Sequence, residues 1–114
     1  MDASDTSYLR THAESADANT LAQGLPLTQD QIDWIHQVDE VGPEWARRAF
    51  EHDRLATFPL ENWNDLRRMG FLGLCVPQRH GGMGGDYRTY MLVASRMAYY
   101  CGATANTFNM HNAN

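Results

Sequence analysis

His80, beside the glycines of Val76-Pro77-Gln78-Arg79-His80-Gly81-Gly82-Met83-Gly84-Gly85-Asp86, has the most unusual setting for a side chain that could do chemistry. Four glycines in five residues allow positive φ values and close backbone approach, so the run reads as a tightly bent connection whose N–H groups could face a phosphate. It lacks the G-x-G-x-x-G spacing, and the residues favour a structural turn to which His80 lends a stabilising hydrogen bond. Cys75 precedes the turn in the apolar run Phe71-Leu72-Gly73-Leu74-Cys75-Val76. Burial there would raise its thiol pKa and make the thiolate scarce, so a core role is predicted rather than a nucleophile.

His36, His52 and His111 are too dispersed to join His80 in a helical ligand pair, and each reads as a surface or packed residue. Glu40 and Glu44 have one-face spacing, but Gly42-Pro43 lies between them and is expected to break that face, leaving no acid/base pair. Tyr87, Tyr90, Met91 and Met97 could line a ligand cavity, although side chains at this spacing ordinarily form core.

The elements that must position these residues read as helices. Residues 1–26 are polar and without period, and are predicted to be a flexible leader, with residues 27–114 as the folding unit. Thr28-Gln29-Asp30-Gln31 has the form of a capping box opening a first helix to about Val41. Gly42-Pro43 is expected to end it and start a second helix to about Arg54, with Trp45, Ala46, Ala49 and Phe50 as its apolar stripe and Trp45 as a core anchor. A third helix begins near Pro59, presents Leu60, Trp63 and Leu66, and stops at Gly70. The Phe71 to Val76 run is predicted to be a buried connector, since no second strand is available to pair with it. Asp86 is placed to cap a fourth helix with Tyr87, Tyr90, Met91, Ala94, Met97, Ala98 and Cys101 on one stripe; Gly102 closes it, and a fifth helix starts at Ala103. The fold class is therefore all-α, a small bundle of about five helices with a glycine-rich loop.

Composition narrows the function classes. The formal charge is −5 and the chain contains no lysine, which excludes a phosphate-binding loop that needs one and any lysine Schiff base. Arginines occur singly or in the pairs Arg47-Arg48 and Arg67-Arg68, with no basic stripe for nucleic acid. Two cysteines without C-x-x-C spacing argue against a disulfide scaffold or zinc site, and no apolar run approaches a membrane span. A cytoplasmic location with reduced thiols is expected.

From about Asp53 to Asn114 the chain resembles the N-terminal helical domain of the acyl-CoA dehydrogenase family. The resemblance rests on Phe58-Pro59, Trp63-x-x-Leu66-x-x-x-Gly70-Phe71-Leu72-Gly73, Val76-Pro77, Gly81-Gly82, and the helix ending Met97-Ala98-Tyr99-Tyr100-Cys101, in that order. It implies a flavoenzyme that removes the α proton and β hydride of an acyl-CoA, with FAD taking the hydride. It also implies a β domain and a C-terminal helical domain beyond this segment, holding the glutamate base and most of the FAD site, and a homotetramer at full length. The segment would then be truncated and inactive alone. By the resemblance, Asn109, Met110 and Ala113 stand nearest the acyl tail in the substrate-binding pocket; they could equally pack or cap the helix end. Asn109 is polar for a plain fatty tail, and Gln78-Arg79-His80 replaces residues that are commonly acidic and aromatic in the family. The alternatives are a flavin-dependent monooxygenase or oxidase on the same fold, and a stand-alone helical interaction module.

Overall fold

A computed structural model describes residues 26–112, which contain four α-helices, two short 3-10 turns and no strand. The leader predicted for residues 1–26 lies, apart from Pro26, outside the described residues.

Helix α1 runs from Gln29 to Leu55 as one element of 27 residues, where the sequence suggested two. The capping box is present: Thr28 Oγ1 accepts from the Gln31 N–H at 3.1 Å, and the Thr28 N–H donates to Gln31 Oε1 at 2.9 Å. Pro43 lies inside the helix and leaves the Asp39 carbonyl without its i+4 donor, a disruption that costs about 3 kcal/mol in an isolated helix. Packing overrides that cost. Val38, Gly42 and Trp45 are buried on one side while Pro43 faces solvent, so the chain continues straight through to bury both halves of the same stripe. Gly42 serves contact rather than exit: a Cβ there would overlap the ring of Tyr100.

The C-cap of α1 is Ala56, with φ +54°, the one described non-glycine residue in the left-handed region. Its N–H donates to Asp53 O and the Thr57 N–H to His52 O, closing the helix end as glycine usually does. Ala56→Gly is expected to stabilise the fold by up to about 1 kcal/mol, because glycine occupies this region without Cβ strain. A denaturation midpoint below that of the parent chain would contradict it.

Helix α2 spans Leu60–Met69 and stops at Gly70, φ +81°, as expected. A 3-10 turn at Phe71–Gly73 and the residues to Val76 form the predicted connector rather than a strand. Helix α3, Tyr87–Tyr100, starts at the Asp86 cap, whose carboxylate accepts from the Thr89 N–H at 2.8 Å. It ends because Cys101 turns extended, φ −154°, and helix α4, Gly102–Asn112, begins at once; Gly102 opens α4 instead of closing α3. The core joins Val38, Trp45, Leu66, Phe71, Leu74, Val93, Met97, Tyr100, Cys101, Ala105 and Phe108 from all four helices and the connector.

Three expected apolar stripes are only partly buried. On α3 the buried face is Thr89, Val93, Arg96, Met97 and Tyr100, whereas Tyr87 is 76% and Met91 48% exposed. On α1 Phe50 is 70% exposed, and on α2 Leu60 is exposed beside buried Asn62 and Asp65. Periodicity located the helices, but polar pairing across them set which face turned inward.

Candidate functional site

The glycine loop folds back on the connector. Met83 N–H donates to Gly73 O at 2.9 Å, Gly84 N–H to Val76 O at 2.9 Å and Gly85 N–H to Leu74 O at 2.7 Å, while Gly81 and Gly82 donate to Gln78 O and Pro77 O. A Cβ at Gly82 would overlap the Val76 backbone, which explains why this approach needs glycine. With these donors engaged internally, the loop is a structural turn and offers no phosphate cradle. His80 accepts from its neighbour Arg79 at 3.3 Å, so its side chain does not tie the loop together as expected. Cys75 is exposed rather than part of the core; partial desolvation of the thiol, then the nearby Asp86 carboxylate, still pushes its pKa up, against nucleophilic use.

The most heavily bonded groups were not singled out from the sequence. Asp39 Oδ1 accepts from Arg96 Nε at 2.7 Å and from the Tyr100 hydroxyl at 2.6 Å, fastening α1 to α3 beside the Gly42 crossing. The Arg96 guanidinium also lies over the Tyr99 ring, 4.3 Å from its centroid. Burial, then the bond to Asp39, raises the Tyr100 phenol pKa well above its ordinary value. Nearer the helix starts, Gln31 Nε2 donates to Thr89 Oγ1 at 3.0 Å, and Thr89 Oγ1 donates to Asp86 at 2.7 Å. The caps of α1 and α3 thereby share one hydrogen-bonded chain. The Thr89 N–H, then its hydroxyl, hold the Asp86 carboxyl below its usual range.

A second network runs from α1 through α2 to α4. Trp45 Nε1 donates to Asp65 at 3.0 Å, Arg48 donates to Asn62 at 3.1 Å, Asn62 donates to Thr104 Oγ1 at 2.9 Å, and Arg68 pairs with Asp65. Its clue in the sequence was the position of Asn62 and Asp65 on the same side of α2 as Leu66, where an apolar residue would be ordinary. At the α1 to α2 corner, His52 bonds Thr57 Oγ1 at 2.7 Å and Glu61 at 2.8 Å. This hydroxyl, imidazole and carboxylate sit across an exposed helix corner, where they clamp the α1 end to the α2 start.

Among the described residues, no buried side-chain nitrogen or oxygen lacks a partner, and no three His, Cys, Asp or Glu side chains converge to hold a metal. Glu40 and Glu44 do share the unbroken α1, but Glu44 is engaged by Arg47 at 2.8 Å, and that bond chiefly lowers its pKa. The described residues thus form no self-contained cradle for a dinucleotide cofactor and no free acid/base pair.

What stays open to the outside is one side of α4. Phe108, Ala105 and Thr104 face the core, and His111 Nε2 bonds Leu72 O at 2.8 Å with its ring edge-on to Trp63. Asn109 and Met110 point outward, Met110 being 63% exposed. Ala113, the third predicted pocket residue, lies outside the described residues.

The sequence profile of the family described as "Acyl-CoA dehydrogenase, N-terminal domain" matches residues 28–114, from the α1 cap through α4. The chain belongs to the acyl-CoA dehydrogenase family. It is 29% identical over 65 residues to the short-chain specific acyl-CoA dehydrogenase of Clostridium acetobutylicum, covering 57% of this chain and 17% of that protein. It is 28% identical over 87 residues to the Bacillus subtilis protein named "Probable acyl-CoA dehydrogenase YngJ", covering 72% of this chain and 22% of that one. It is 34% identical over 71 residues to a dibenzothiophene monooxygenase of Rhodococcus erythropolis, covering 62% and 17%. The chain therefore spans about a fifth of the length of these relatives. No solved structure is a significant match. The acyl-CoA dehydrogenase N-terminal assignment agrees with an all-helical fold and with the motif order read from Phe58 to Cys101.

Proposed function

We propose that this acyl-CoA dehydrogenase domain, residues 27–114 behind a leader of residues 1–26, is the N-terminal helical part of an FAD-dependent enzyme that desaturates an acyl-CoA between its α and β carbons. The observation that carries the reading is the continuous family match from the α1 capping box to the end of the chain. FAD, when bound, supplies the hydride acceptor. In this reading its site and the glutamate base belong to further domains, consistent with a glycine loop whose N–H groups are already engaged. This segment contributes shape: Asn109 and Met110 on α4, with Ala113 following in the sequence, stand nearest the acyl group, while Phe108 and His111 hold that helix against the core and connector. The partners are the acyl-CoA, the remaining domains and further copies in a tetramer, working in the cytoplasm. No helix among the described residues is long and apolar enough to cross a membrane.

The test is to express the longest natural reading frame containing this segment and mix it anaerobically with a panel of acyl-CoAs. Bleaching of the visible flavin spectrum by one of them is the expected result. A second reading, a flavin-dependent monooxygenase on the same fold, draws on the 34% identity to the Rhodococcus dibenzothiophene monooxygenase. A flavin that no acyl-CoA reduces, and that consumes oxygen with an aromatic substrate once reduced externally, would replace the first reading with the second. The interaction-module reading predicts instead a protein that purifies colourless.

A further inference from the structure

Two carboxamides on the open side of α4 bear on which acyl group the pocket accepts. Asn106 and Asn109 are both exposed and three residues apart, so they neighbour each other about one turn along the helix, with Cβ atoms about 5 to 6 Å apart. The other polar side chains of this stretch are engaged: Thr107 donates to Ala103 O at 2.9 Å, Asn112 to Phe108 O at 2.8 Å, and His111 bonds Leu72 O. Among the described residues, the carboxamides of Asn106 and Asn109 bond to nothing. Met110 lies beside them, an adaptable apolar surface that can follow the shape of a carbon chain.

We propose that Asn106 and Asn109 select an acyl group that carries a hydroxyl over a plain aliphatic one. This rests on the reading of α4 as a wall of the acyl pocket. Once a substrate covers that wall, each carboxamide loses its water. A methylene chain returns nothing to the amide donors or the carbonyl acceptor, and buried polar groups left without partners oppose binding. A hydroxyl both donates and accepts, so it satisfies a carboxamide in either orientation of the amide. Discrimination follows because a site built around hydrogen-bonding groups rejects the analogue that lacks the matching group more strongly than an apolar pocket rejects an added one.

The experiment uses the full-length enzyme and compares kcat/KM for a straight-chain acyl-CoA with that for its hydroxylated counterpart of equal length, the hydroxyl placed beyond the reacting carbons. The parent enzyme should favour the hydroxyacyl-CoA by about tenfold or more, within the range that such groups provide. Asn109→Leu should remove or invert that preference, and Asn106→Leu should weaken it. Both positions are exposed, and thermal melts of the variants check that folding is retained. A preference for the straight chain in the parent, or an unchanged ratio in both variants, overturns the inference while leaving the dehydrogenase reading intact. Absence of flavin reduction by either acyl-CoA overturns that reading, and the inference falls with it.

Discussion

Gly42→Leu should lower the stability of the folded chain by about 3 kcal/mol, at the upper end of what overpacking a tight contact usually does. The reason is geometric: even a Cβ at this position would overlap the Tyr100 ring, so α1 and α3 would have to separate where they cross. Gly42→Ala is the sharper test, because helix propensity alone predicts a gain of about 1 kcal/mol. The crossing predicts a loss instead. Enlarging the space with Tyr100→Ala in the same chain should make the pair cost less than the sum of its parts, the signature of residues in contact. Thermal or urea melts would read all three, and additive effects would show that Gly42 does not act through Tyr100.

Arg96→Met should cost about 3 to 5 kcal/mol, the usual effect of removing one partner from a buried ion pair. Arg96 is only 5% exposed, and without it Asp39 keeps a carboxylate at the helix crossing with the Tyr100 hydroxyl as its remaining partner. Asp39→Leu combined with Arg96→Met should recover much of the loss, since the uncompensated charge disappears. If the double variant is no more stable than Arg96→Met, the penalty lies in packing rather than charge. The same site sets an alkaline limit. The folded-state pKa of Tyr100 is raised, so its contribution is complete below the ordinary phenol range, about pH 10, and is lost as pH rises through the higher folded value. Tyr100→Phe should flatten that alkaline fall in a pH series of urea midpoints.

Much of this protein was legible without coordinates because its signals are local. A capping box at Thr28, an aspartate cap at Asp86, a left-handed glycine at Gly70 and the dense glycines after His80 each act within a few residues. Their order along the chain also revealed the family, since the motifs from Phe58 to Cys101 depend on spacing alone. The candidate pocket residues came from that resemblance, and the coordinates add that Asn109 and Met110 face outward from α4.

The tertiary structure decided what local chemistry misjudged. Gly42-Pro43 is a stop signal by propensity, yet the helix continues because burying Val38, Gly42 and Trp45 along one stripe outweighs a single missing hydrogen bond. Cys75 sits in an apolar run but is exposed, because the connector turns tightly and receives the glycine loop on its backbone. Asp39, Asn62, Asp65 and Arg96 carry no local signal of their pairing, because the partners that bring them to the helix contacts lie more than ten positions away in the sequence. Their roles depend on which helices meet, and that is settled by the joint burial of several faces at once, which no short window of sequence contains.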